Sequence, residues 1–175
     1  GPEIELKDAE GNVIPDGGAI TNPDITFKIK EGTEKSDFSG IKEISIYKDS
    51  LNNSPYTTPK TLNGELEYIY IVRNEVYHLP GTPILPDGEY YARAIDMAGN
   101  ERVSQFTVDT TDPDTSNIVV SPEPCGTNPT VTAKAVDSLT NISAAEFYID
   151  SDTTTTPMTA SDDAFDEKEE TVKGV

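Results

Sequence analysis

Residues 86–113 read PDGEYYARAIDMAGNERVSQFTVDTTDP, and the order of polar and apolar residues in this stretch decides the fold. Asp87-Gly88 is a turn signal, since aspartate bonds to nearby backbone and glycine accepts conformations costly to other residues. Tyr90, Ala92 and Ala94 then fall on one face of an extended segment, with Arg93 on the other. That period of two marks a half-buried strand. Asp96 and Asn100 flank Gly99 in a tight polar loop whose side chains can close it by hydrogen bonds. A second strand follows, with Ser104, Phe106 and Val108 as its inward row. The acidic, proline-containing run from Asp109 to Asp114 has the composition of a linker.

The residues upstream read as earlier strands of the same sheets. Ile4–Lys7 opens the chain, Gly11-Asn12 signals a turn, and Ala19-Ile20 is placed to touch a sheet edge after the Pro15–Gly18 loop. Ile25, Phe27 and Ile29 alternate with Thr26, Lys28 and Lys30, the pattern of an antiparallel strand with one wet face. A polar loop spans Glu31–Gly40. Ile44 and Ile46 alternate in the next strand, which closes on Tyr47-Lys48-Asp49, and a polar loop runs from there to Pro59. Leu66–Val72 and Val76–Leu79 flank Arg73-Asn74-Glu75, a hairpin turn or a bulge, and Ile and Tyr occupy both phases of the first segment. Seven or eight short strands, with no capped helical period, predict an all-β sandwich.

Downstream the order restarts. Thr130–Val136 matches the strand of Ile25–Ile29, with Val131, Ala133 and Ala135 in phase. Ala144–Asp150 matches Ile41–Asp49, and Phe147-Tyr148-Ile149-Asp150 echoes Ile46-Tyr47-Lys48-Asp49. Pro157-Met158 opens an edge segment, and Glu170–Val175 is a candidate fifth strand. No second copy of DGEYYARAIDMAGN follows. The expected organisation is a module over 1–110, an acidic linker over 111–114, and a second module over 115–175 that lacks its last two strands. Such an open sheet invites capping by a neighbouring molecule, strand exchange, or continuation of the native chain.

Composition narrows the function classes. Hydrophobic residues make up 34% of the 175, without tryptophan, which suits thin cores and not the deep interior of a large enzyme. A net charge of −19 and a pI near 4.1 exclude nucleic acid, whose phosphates would be repelled. Cys125 is the only cysteine, so no intrachain disulfide forms, and it reads as an ordinary loop residue. No apolar run reaches the length of a membrane span. The opening Gly1-Pro2 reads as an expression scar and suits a fragment of a longer protein.

Three motifs together resemble the immunoglobulin-like (Big-type) repeats of bacterial and archaeal surface proteins. They are Asp87-Gly88-Glu89-Tyr90, Ala94-Ile95-Asp96-Met97-Ala98-Gly99-Asn100, and Val108-Asp109-Thr110-Thr111-Asp112-Pro113, joined by Ser39-Gly40-Ile41 before the third strand. The resemblance implies two tandem immunoglobulin-like β-sandwich modules, extracellular or on the surface of a prokaryotic cell. It implies a structural spacer or adhesion role, with neighbouring repeats and a surface glycan or protein as partners, and no catalysis. The alternative is an accessory polysaccharide-binding module of a secreted enzyme.

Within that topology, Asp109, Asp112, Asp114 and Asp137 are expected to converge with Asp87 or Asp16 at the junction, a set of hard oxygen ligands that would suit calcium. Against this stands a simpler account, in which the acids are solvated and Pro113 alone stiffens the linker. Tyr90 is expected to pack inward with its hydroxyl bonded near the strand corner. A Lys–Asn or Lys–Asp amide crosslink, known in related modules, would need Lys28 or Lys30 in an apolar setting, and Lys28 lies on the polar phase. His78, the sole histidine, has no nucleophile motif beside it. Sugar platforms would draw on Tyr47, Tyr56, Tyr68, Tyr70, Tyr77 or Tyr91. Asn52 and Asn141 lie in Asn-x-Ser patterns, which matter only in a glycosylating source.

Overall fold

The alternating rows become the walls of a core. In the computed structural model, which describes residues 1–22, 24–31, 39–56, 59–72, 85–121, 129–150 and 153–175, all regular structure among those residues is strand. The chain forms two compact units, Gly1–Thr110 and Thr111–Val175. The expected second arm of the hairpin at Val76–Leu79, together with His78, Tyr77 and Cys125, lies outside the described residues.

The first unit contains β1 (Pro2–Lys7), β2 (Val13–Ile14), β3 (Gly18–Ile20), β4 (Ile25–Glu31), β5 (Ile41–Lys48), β6 (Lys60–Glu65), β7 (Glu67–Val72), β8 (Gly88–Asp96) and β9 (Glu101–Val108). They form two sheets, ordered β2-β1-β4-β7 and β3-β9-β8-β5-β6. Ile25, Phe27 and Ile29 of the first sheet share one buried cluster with Ile44, Ile46, Tyr90 and Phe106 of the second, which makes the unit sandwich-like. Phe106 anchors it. Its ring meets Phe27 edge-on at 5.5 Å and stacks on Tyr90 at 5.4 Å, contacts worth about 0.5–1.5 kcal/mol each beyond burial.

Between β2 and β3 the chain changes sheets. Asp16 holds that crossing, accepting hydrogen bonds from the Ser104 hydroxyl at 3.1 Å and the Gln105 amide at 2.7 Å. Beyond it β3 pairs with β9 in parallel, Gly18 opposite Phe106 and Ile20 opposite Val108. The strand β6 was not legible as one, because KTLNGE offers a single apolar residue, Leu62, to the core. Its Gly64 lets Gly40 approach closely: both have positive φ (78° and 81°), and a Cβ on Gly40 would collide with the Gly64 carbonyl group. This contact accounts for the glycine in Ser39-Gly40-Ile41.

The second unit is one sheet of five strands. They are β10 (Asp114–Ser121), β11 (Thr130–Val136), β12 (Ala145–Phe147), β13 (Thr156–Ala160) and β14 (Glu169–Gly174), in the order β10-β11-β14-β13-β12. β10 begins at Asp114, inside the stretch expected to be linker. Val131, Ala133 and Ala135 are buried as their spacing requires, and Val131 and Ala133 cluster with Met158 and Val172. The strand expected over Ala144–Asp150 is only three residues long, and Tyr148 and Ile149 are 66% and 63% exposed. The echo of the first unit survives in the backbone: Asp49 after β5 and Asp150 after β12 both take positive φ, 66° and 54°, a conformation that aspartate tolerates better than most residues.

Candidate functional site

The acids singled out for calcium divide between the units. In the first, Asp87 accepts hydrogen bonds from the Thr110 amide at 3.0 Å and the Thr110 hydroxyl at 2.7 Å. Asp109 is buried after β9, and its amide donates to the Ile20 carbonyl at 2.9 Å. Asp16 is not beside them, being bound instead to Ser104 and Gln105 within β9. In the second unit Asp112 and Asp114 are exposed. Asp137 is buried, and its carboxylate accepts from the amides of Leu139 and Thr140 at 2.8 and 2.9 Å. Asp87 and Asp137 thus already act as backbone acceptors, the role aspartate takes in turns. Among the described residues of either unit, no three His, Cys, Asp or Glu side chains gather as a metal-holding group.

At the same end of the first unit, Tyr90 is fully buried and its hydroxyl donates to the Pro86 carbonyl at 2.5 Å. Burial, with Tyr56, Asp49 and Asp87 nearby, pushes its phenol well above the ordinary value. Lys48 donates to the Asp87 carbonyl at 3.0 Å, and the Asp49 amide donates to the Glu89 carbonyl at 2.9 Å. These bonds tie the β5 exit to the start of β8.

One loop motif occurs twice in this unit, at Asp96–Asn100 and at Asp8–Asn12. In Asp96-Met97-Ala98-Gly99-Asn100, the carboxylate accepts from the Asn100 amide and side chain, both at 2.7 Å. In Asp8-Ala9-Glu10-Gly11-Asn12, the same two bonds measure 2.7 and 3.0 Å. Gly99 and Gly11 take φ of 89° and 87°, which glycine alone adopts without steric cost. Burial works to raise the Asp96 carboxyl, but bonds from Asn100, the Ala98 backbone and Ser39 outweigh it and hold it below the usual range. The Asn12 side chain does the same for Asp8. The first copy was visible in sequence only as the Gly11-Asn12 turn.

Of the tyrosines expected as sugar platforms, Tyr47, Tyr56 and Tyr91 have described side chains, and those of Tyr68 and Tyr70 lie outside the described ones. Tyr47 is buried, and its hydroxyl accepts from Arg93 at 3.3 Å. Tyr56 packs edge-on against Tyr90 at 5.7 Å. Tyr91 is half-buried and Tyr77 lies outside the described residues, while Tyr56 and, in the second unit, Tyr148 are exposed, at 41% and 66%. Lys28 and Lys30 pair on the wet face with Glu67 at 3.2 Å and Glu3 at 3.1 Å, far from the apolar setting an amide crosslink needs.

Sequence reasoning missed a concavity of the second unit. A trough of about 530 Å³ runs along its sheet, floored by Val131, Ala133, Ala135 and Val172 and walled by Ile118 on one side and Phe147 on the other. Loop bonds brace its rim. The Ile142 amide donates to the Glu167 carbonyl at 2.9 Å, and the Asn141 side chain donates to the Asp166 carbonyl at 2.6 Å. Glu170, almost fully buried, accepts from the amides of Asp166 and Glu167, both at 3.1 Å. No helix among the described residues is long and apolar enough to cross a membrane. Comparison with protein-family models, with curated proteins and with solved structures found no match in any of the three.

Proposed function

We propose that the chain is a pair of immunoglobulin-like modules from a multi-repeat protein of a prokaryotic cell surface, acting as a spacer or adhesion array. The observation that carries this reading is where the first unit opens and closes. Gly1 lies against Asn100, at the turn before β9. Thr110, just past the other end of β9, is tied to Asp87. Eight residues of β9 at about 3.3 Å each separate the two ends by roughly 26 Å. A unit entered at one end and left at the other strings into a linear array, adding its length to the span.

Two further features support the module type. The strand order, with β1, β4 and β7 facing β9, β8 and β5, and with β3 crossing over to join β9, supports an immunoglobulin-like arrangement of the sandwich. The paired positive-φ aspartates after β5 and β12 support a repeated design. A net charge of −19 keeps such an array soluble and its neighbours apart.

The test is a screen of the full chain against polysaccharides and cell-surface glycans by calorimetry and array binding. A spacer gives no saturable binding. Saturable binding that Tyr148→Ala abolishes would overturn this reading in favour of a polysaccharide-binding module.

A further inference from the structure

We propose that the free edge of β12 and the trough beside it receive a β-hairpin built like β8–β9, which adds antiparallel to β12 and lays one row of its side chains in the trough. The correspondence between β5 and β12 carries this assignment independently of any spacer role.

In the first unit β5 uses both of its edges. One pairs with β6 and the other with β8 along its whole length, through Tyr47 opposite Tyr91 and Lys48 opposite Tyr90. In the second unit β12 occupies the same place in the chain order and ends before the same kind of positive-φ aspartate. It pairs with β13 on one edge, Ala145 opposite Met158, and among the described residues no strand pairs with the other. An edge of unpaired amides and carbonyls is a template for an added strand.

Matching residues at the two strands differ in exposure. Tyr47 is 6% exposed because β8 runs beside it and Arg93 donates to its hydroxyl. Tyr148, which echoes Tyr47 in the repeat, is 66% exposed. β5 continues through Lys48, whereas β12 stops at Phe147. A strand on the free edge would supply pairing partners for Tyr148 and Ile149 and lengthen β12 to match β5.

The trough sets the side chains the hairpin must bring. β4 fills its core with Ile25, Phe27 and Ile29, but β11 puts Val131, Ala133 and Ala135 in the corresponding row. Small residues on the floor leave the volume to the incoming strand, so its inward row is aromatic or branched. Tyr90 of β8 and Phe106 and Val108 of β9 are residues of this kind.

The experiment adds a synthetic peptide with the sequence of residues 86–109 to the full chain, followed by hydrogen exchange and NMR. We expect saturable binding, on the order of 100 µM or tighter, with new protection at Ala145–Ile149 and shifted signals from Tyr148 and Val131. Ala133→Phe fills the trough with an apolar ring and is expected to weaken binding by at least about ten-fold. A peptide of the same composition with the alternation scrambled is expected not to bind. Absence of binding at millimolar peptide, or protection confined to other strands, overturns the proposal. So does a dimer that protects β12 without peptide, since it assigns the trough to a second copy.

Discussion

Replacing Asp96 with alanine isolates what a buried loop carboxylate contributes. The side chain is fully buried and accepts two bonds of 2.7 Å from Asn100. Hydrogen bonds to a charged group contribute about 1.5–3 kcal/mol each. Asn100 is exposed, so its donors regain water, and the expected loss is at the low end, about 2–3 kcal/mol in total. For a unit spanning Gly1–Thr110 this lowers the melting temperature by roughly 8–15 °C. Near-ultraviolet circular dichroism reads the first unit selectively, since every tyrosine except Tyr148 lies there. Asp8→Ala removes the same pair of bonds from a more exposed copy of the motif and is expected to cost less. The pH profile adds a second arm. Because the folded Asp96 carboxyl sits below its ordinary value, its contribution is complete above the unfolded value and is lost as pH falls through the folded one. Asp96→Asn flattens that acid limb. A shift under about 2 °C for Asp96→Ala, or an equal loss for Asp8→Ala, refutes the reasoning.

Other outcomes follow from single contacts. Tyr90→Phe removes the bond to Pro86 and costs about 1 kcal/mol. Its phenol is raised in the fold, so stability present below the ordinary tyrosine value is lost as pH climbs toward the folded one, and the phenylalanine variant shows no such alkaline limb in urea titrations. Gly40→Ala forces a Cβ into the Gly64 carbonyl group at a φ of 81°, for a loss of at least about 2 kcal/mol by chemical denaturation. Gly64→Ala, whose nearest neighbour would be the Ser39 carbonyl at 3.9 Å, costs only the left-handed backbone term of about 1 kcal/mol. Millimolar calcium is expected to leave both melting transitions unmoved, because Asp87 and Asp137 already hold backbone amides. Calorimetric heat together with a raised melting temperature would return those acids to the role of ion ligands.

What was legible in sequence was whatever repeats every second residue or closes within a few. The rows Ile25-Phe27-Ile29, Tyr90-Ala92-Ala94 and Val131-Ala133-Ala135 are buried as their phase requires, and the Asp96–Asn100 loop closes on itself as its residue types suggest. Features set by distant partners were not legible. Asp16 binds residues 88 and 89 positions away, which no local pattern encodes. Gly40 is required by Gly64, in a strand with one buried apolar residue. The short β12 follows from which of its edges has a neighbour, and Ala144–Asp150 reads as strand whichever is the case. The trough was hidden for the same reason, because alanines in phase signal a buried face without showing what stands opposite.

The parallel patch where Gly18–Ile20 meets Phe106–Val108 takes on a mechanical meaning once the ends of the unit are placed. Tension drawing Gly1 one way and Thr110 the other runs along the strands. It slides β3 past β9, and β1 past β4 across their six paired positions from Pro2 to Lys7. Hydrogen bonds in a sheet lie across the strand direction, so this sliding loads them side by side and none can peel open ahead of the rest. The Asp16 carboxylate, bound to Ser104 and Gln105 immediately before the patch, acts as a bolt against that slip. Under load a strand only three residues long becomes part of the unit's clutch.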